Sequence, residues 1–65
     1  MCEARVIIEG PDGEVIEEIA DVTTIVPGDD RLELRDLFGG TRTVEAQLKE
    51  VRLLDHTVVL TRDSI

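Results

Sequence analysis

The sequence predicts an all-β domain, and two observations predict it. Its apolar residues are aliphatic: hydrophobic residues make up 42 % of the 65, yet Phe38 is the only aromatic. Val, Ile and Leu in this proportion suit a pleated, half-buried surface. They also recur in short runs, several with a two-residue period, separated by Gly, Pro and Asp clusters. That is the pattern of strands joined by turns.

The first run covers residues 4–9, with Val6, Ile7 and Ile8 together. Gly10-Pro11-Asp12-Gly13 follows, a turn in which Pro presets one φ and Gly supplies a positive one. Residues 14–19 resume with Val15, Ile16 and Ile19, so the two segments read as a hairpin. A further strand is expected over 21–26, Asp-Val-Thr-Thr-Ile-Val, ending at the turn Pro27-Gly28-Asp29-Asp30.

Residues 31–37 show the cleanest alternation: Leu32 and Leu34 on one face, Arg31, Glu33 and Arg35 on the other. Phe38-Gly39-Gly40 breaks it. Residues 41–48 alternate again through Val44, Ala46 and Leu48. Over 45–54 a helix competes, because Leu48, Val51 and Leu54 are three apart; the reading taken is a strand, a kink near Lys49, and a strand through Val51 and Leu53. Asp55-His56 turns into a last strand over 57–61, and residues 63–65 are expected to fray. With no helix to cover a sheet face, closing the sheet on itself buries the aliphatic side. The expectation is a single domain over 1–65, a small SH3-like barrel of some five to seven short antiparallel strands.

So short a chain buries only about 60 % of the surface its unfolded form exposes, and such domains usually rely on disulfides, a metal or a partner subunit. One cysteine allows no intrachain disulfide, so a metal or a homodimer is expected. No apolar run approaches the roughly 20 residues that cross a bilayer, and Met1 to Arg5 lacks the apolar stretch of a signal peptide. The cytoplasm is the expected location, where a thiol stays reduced. Fifteen acidic against seven basic residues give a net charge of −8. That field repels a polyanion, and the lack of aromatics removes stacking platforms, so nucleic acid is a disfavoured partner.

No enzyme is expected. His56 is the only histidine, it sits in a predicted turn, and no triad, phosphate loop or nucleotide fingerprint is present. Gly39-Gly40 reads as a hairpin turn, and Glu17-Glu18 and Asp29-Asp30 as solvated positions. A structural zinc site needs about four Cys or His ligands, and this chain has two. Cys2 is the remaining candidate. Its thiolate is a soft donor for nickel, copper or zinc, and the amino terminus beside it is a nitrogen donor with a pKa of about 8. If Met1 is kept, the Met1 amine, the deprotonated Cys2 amide and the Cys2 sulfur close two fused five-membered rings around one ion; if Met1 is trimmed, the Cys2 amine and thiolate still form one ring. A two-fold axis near the chain starts brings two Cys2 thiolates to it. The plain alternative is a small hydrophobe or an incidental thiol.

Met1-Cys2, the strand Val6-Ile7-Ile8 and the Gly10-Pro11-Asp12-Gly13 turn resemble the CooT family. So do Asp21 to Ile25, Asp36-Leu37-Phe38-Gly39, and Val51-Arg52-Leu53-Leu54-Asp55 leading into Val58-Val59-Leu60. The resemblance implies an SH3-like barrel, a homodimer, and Ni(II) held by Cys2 for insertion into carbon monoxide dehydrogenase or another nickel enzyme; Cu(II) and Zn(II) fit the same donors in vitro. Two rival readings are a small RNA-binding barrel, which the −8 charge disfavours, and a metal-independent interaction module whose sheet edge docks a basic partner.

Overall fold

A computed structural model describes residues 3–62. They form six strands and no helix: β1 Ala4–Glu9, β2 Val15–Pro27, β3 Leu32–Asp36, β4 Thr41–Val44, β5 Gln47–Arg52 and β6 Thr57–Thr61. All six join one sheet in the order β4-β3-β2-β1-β6-β5, coiled into the small all-β, barrel-like globule that the pattern predicts. Residues 63–65, expected to fray, lie outside the described residues.

The hairpins join antiparallel neighbours, as expected. The pairing of β1 with β6 is parallel, with Arg5 opposite Thr57 and Glu9 opposite Thr61. A strand alternation carries no information about which distant strand becomes its neighbour, so this junction of the first and last strands was not readable. β6 lies between β1 and β5 and is buried on both faces. Val58 and Leu60 belong to the core, while Thr57 and Val59 on the other face are also almost wholly buried. That is why its sequence is a continuous apolar run, not an alternation.

The two strands expected over 14–19 and 21–26 are one strand, β2. Its first half pairs with β1 and its second with β3. Register slips in both ladders, each time with an extra residue on β2, as between Ile8 and Glu9 (opposite Glu17 and Val15) and between Val22 and Thr24. Each such bulge bends and twists the strand. At the centre Asp21 adopts φ 61°, a left-handed conformation that Asp tolerates better than most residues. The Asp21 carbonyl accepts the Leu37 N–H at 2.9 Å, tying the bend to the end of β3. As a result Ile19, Val22 and Ile25, three apart, all reach the core.

The core joins all parts of the coil: Val6 and Ile8 from β1, Val22 from β2, Leu32 and Leu34 from β3, Val44 and Ala46, and Val58 and Leu60 from β6. Burial of each large aliphatic contributes about 1.5–3 kcal/mol, in a fold whose net stability for this length is roughly 3–10 kcal/mol. β4 and β2 share no ladder, yet Arg42 Nη2 donates to Glu17 Oε1 at 2.6 Å. Arg42 stands opposite Leu34, and Glu17 opposite Ile8. The ion pair therefore shares their face and covers the edge of the core where the coil closes.

The turns follow their chemistry. Gly13 has φ 83°, and its N–H donates to the Gly10 carbonyl at 3.0 Å. At the β3–β4 turn, Asp36 Oδ1 accepts from the N–H groups of Phe38 and Gly40 at 2.9 and 2.8 Å. The break expected near Lys49 is displaced: the chain leaves β4 at Glu45 and Ala46, and Lys49 marks a bulge within β5. The competing helix over 45–54 does not form. Leu53, expected in a strand, lies in the turn 53–56.

Candidate functional site

Met1 and Cys2 lie outside the described residues, so the site is built from what borders them. Two residues of chain span at most about 7 Å, so the surroundings of Ala4 are those within reach of Cys2. On one side Ala4 pairs with Val22 of β2. On the other, the Arg5 N–H donates to the His56 carbonyl at 2.8 Å, which sets the 53–56 turn beside the start of β1. Glu3 is half-buried, and its Oε1 is buried with no hydrogen-bond partner among the described residues. A buried carboxylate oxygen without a donor is costly, and a cation or donor arriving beside it offsets that cost. Sequence reasoning missed Glu3, because only the fold shows which of fifteen acids is buried.

His56 is exposed and adopts φ 50°. Its N–H donates to the Leu53 carbonyl at 3.2 Å, so its role in the structure is that of a left-handed turn residue, as its sequence position suggests. Among the described residues no three His, Cys, Asp or Glu side chains group so as to hold a metal. Gly39 has φ 89° and belongs to the β3–β4 turn. Asp29 and Asp30 are solvated.

Among the described residues, five basic side chains form ion pairs with glutamates: Arg5–Glu18, Arg35–Glu33, Arg42–Glu17, Lys49–Glu9 and Arg52–Glu50. Their charge is spent locally, not assembled into a stripe for phosphates. The Arg42 hydrogen bond holds the Glu17 carboxyl below its ordinary pKa, and the Arg52 hydrogen bond does the same for Glu50. These pairs explain the positions of Glu17 and Glu18, which the sequence left as plain solvated residues.

An open apolar groove of about 300 Å³ is walled by Ile25, Pro27, Leu32, Leu48, Val51 and Val58. It too escaped the sequence, since it joins the β2–β3 and β5–β6 hairpins, which only the coil brings together. No helix among the described residues is long and apolar enough to cross a membrane.

The family model for CO dehydrogenase accessory protein CooT matches residues 1–61. The chain belongs to the CooT family. No curated protein matches it. A crystal structure of a protein assigned as CooT from Carboxydothermus hydrogenoformans superposes with a TM-score of 0.76 at 30 % identity, over 97 % of this chain and 100 % of that one. CooT proteins are accessory to CO dehydrogenase by their description, which agrees with the absence of a catalytic constellation from the sequence. The match begins at residue 1.

Proposed function

We propose that the chain is a nickel-binding accessory protein, a metallochaperone that acts in the cytoplasm. It holds Ni(II) through Cys2 in a homodimer and delivers it to CO dehydrogenase or another nickel enzyme. The observation that carries this reading is the family match from residue 1, across the chain's single thiol. The rest of the described chain supports it by offering no rival cluster of donors.

The donors are the Cys2 sulfur and the amino-terminal nitrogen of Met1, in the tetragonal arrangement that Ni(II) accepts. One chain supplies too few groups, and a second Cys2 completes the set. The orphaned Glu3 oxygen supports a cation at this end, because positive charge beside it relieves an unpartnered carboxylate. Both the thiol and the amine must lose protons to bind, so affinity rises with pH. Titration of Ni(II) into the wild type and Cys2→Ser tests the reading: the variant loses binding, and an unchanged affinity sinks it.

A further inference from the structure

Phe38 is the only aromatic residue of the chain, and the fold leaves it outside the core. It is 81 % exposed, which puts on the order of 150 Å² of apolar side chain in water. Leu37 beside it is 43 % exposed. The Gly39 N–H donates to the Asp36 carbonyl at 3.2 Å, so Leu37 and Phe38 are the two central residues of the β3–β4 turn. Turns are ordinarily built from Gly, Pro, Asn, Asp and Ser. This one accounts for Asp36 through its side-chain hydrogen bonds and for Gly39 through its φ of 89°. It accounts for neither apolar residue between them.

The tip is also held still. The Asp36 N–H donates to the Gly40 carbonyl at 3.0 Å, the Leu37 N–H to the Asp21 carbonyl, and the Phe38 and Gly40 N–H groups to Asp36 Oδ1. Every backbone N–H from residue 36 to residue 40 is therefore engaged. A ring carried on a fixed turn loses little freedom on entering a pocket, and that makes an exposed aromatic a binding anchor.

We propose that the Leu37–Phe38 tip docks the chain on its client CO dehydrogenase, with Phe38 entering an apolar pocket rimmed by Lys or Arg. The inference rests on the accessory reading above and adds the surface that the client touches. Charge sets the rim. Arg35 and Arg42, the cations of β3 and β4, are held by Glu33 and Glu17. Asp21 and Asp36, at the base of the tip, form no ion pair among the described residues. On a chain of −8 the base of the tip is thus negative, and a cationic rim complements it. The same charge repels a nucleic acid that would stack on the ring and an anionic membrane that would take it up. The place agrees as well. Ala4 pairs with Val22 and Val22 with Asp36, so the turn begins two strand spacings, about 10 Å, from Ala4. A standard interface buries about 800 Å² on each partner, a patch roughly 30 Å across. A client centred on Phe38 therefore also covers Ala4, two residues from Cys2, as passing an ion between the proteins requires.

Biolayer interferometry of the full chain on purified nickel-free CO dehydrogenase tests it, in about 0.05 M and about 0.5 M salt. The wild type binds, and more tightly at low salt. Phe38→Ala weakens binding by at least about 30-fold, the loss of an interface anchor. Asp21→Asn, which the left-handed backbone also tolerates, flattens the salt dependence. Both variants keep the circular dichroism, the oligomeric state and the Ni(II) affinity of the wild type. Undiminished binding by Phe38→Ala overturns the proposal, as does a changed oligomeric state in that variant. So does Phe38-dependent binding to phosphatidylglycerol vesicles in place of the enzyme. A wild type that takes up nickel through Cys2 yet does not bind the enzyme overturns the docking surface and leaves the metal reading standing. A chain that binds no nickel, but whose docking is lost in Phe38→Ala, sustains the docking surface and overturns the metal reading.

Discussion

Asp21 offers a test in which the sequence pattern and the structure predict opposite signs. It sits inside a thirteen-residue strand, where a β-branched residue is ordinarily favoured. Its φ of 61° reverses that expectation. The left-handed region costs an L-residue about 1–2 kcal/mol, with Asp at the low end and β-branched residues beyond it. The conformation cannot relax freely, because the Asp21 carbonyl holds the Leu37 N–H and the bend lets β2 pair with both β1 and β3. Asp21→Val is therefore expected to destabilise by about 2 kcal/mol, lowering Tm by roughly 10 °C in a domain of this size. Asp21→Gly removes the steric strain and adds backbone entropy to the unfolded chain, for a net change of about zero. Thermal melts of the three proteins by circular dichroism decide the matter. A Tm for Asp21→Val equal to or above the wild type refutes the bulged account of β2.

His56→Gly, at φ 50° on an exposed turn, is expected to raise stability by about 0.5 kcal/mol and to leave nickel affinity unchanged; a loss of nickel binding makes His56 a ligand instead. The Arg42–Glu17 pair contributes about 0.5 kcal/mol, as exposed pairs do. Because the folded state lowers the Glu17 pKa, that stability is present above the ordinary carboxylate range and disappears as pH falls through the folded pKa. Urea melts of the wild type and Glu17→Gln should differ at neutral pH and converge in acid; a difference that persists below the folded pKa contradicts the pair.

The strands with undisturbed spacing were legible. Residues 4–9 and 57–61 match β1 and β6 to the residue, because turn residues mark their ends. β2 was divided in two, because its bulges cancel the two-residue period around Ala20 and Asp21. The same physics moved the kink expected at Lys49: a bulge there looks like a break in a one-dimensional pattern. Leu53 reads as the end of a strand, since an exposed leucine and a buried one are the same letter. For the site, Cys2 stood out by chemistry alone, as a soft donor beside a nitrogen. Glu3 and the groove depend on which segments the coil brings together, and no local pattern encodes that.

The central claim is that Cys2 holds nickel in a dimer. Native mass spectrometry of the chain loaded with Ni(II) tests it most directly, since mass reports oligomer and metal together. The account predicts a dimer carrying one nickel ion, and Cys2→Ser dimers carrying none. Nickel retained in Cys2→Ser, or a wild type that takes up no nickel, contradicts it.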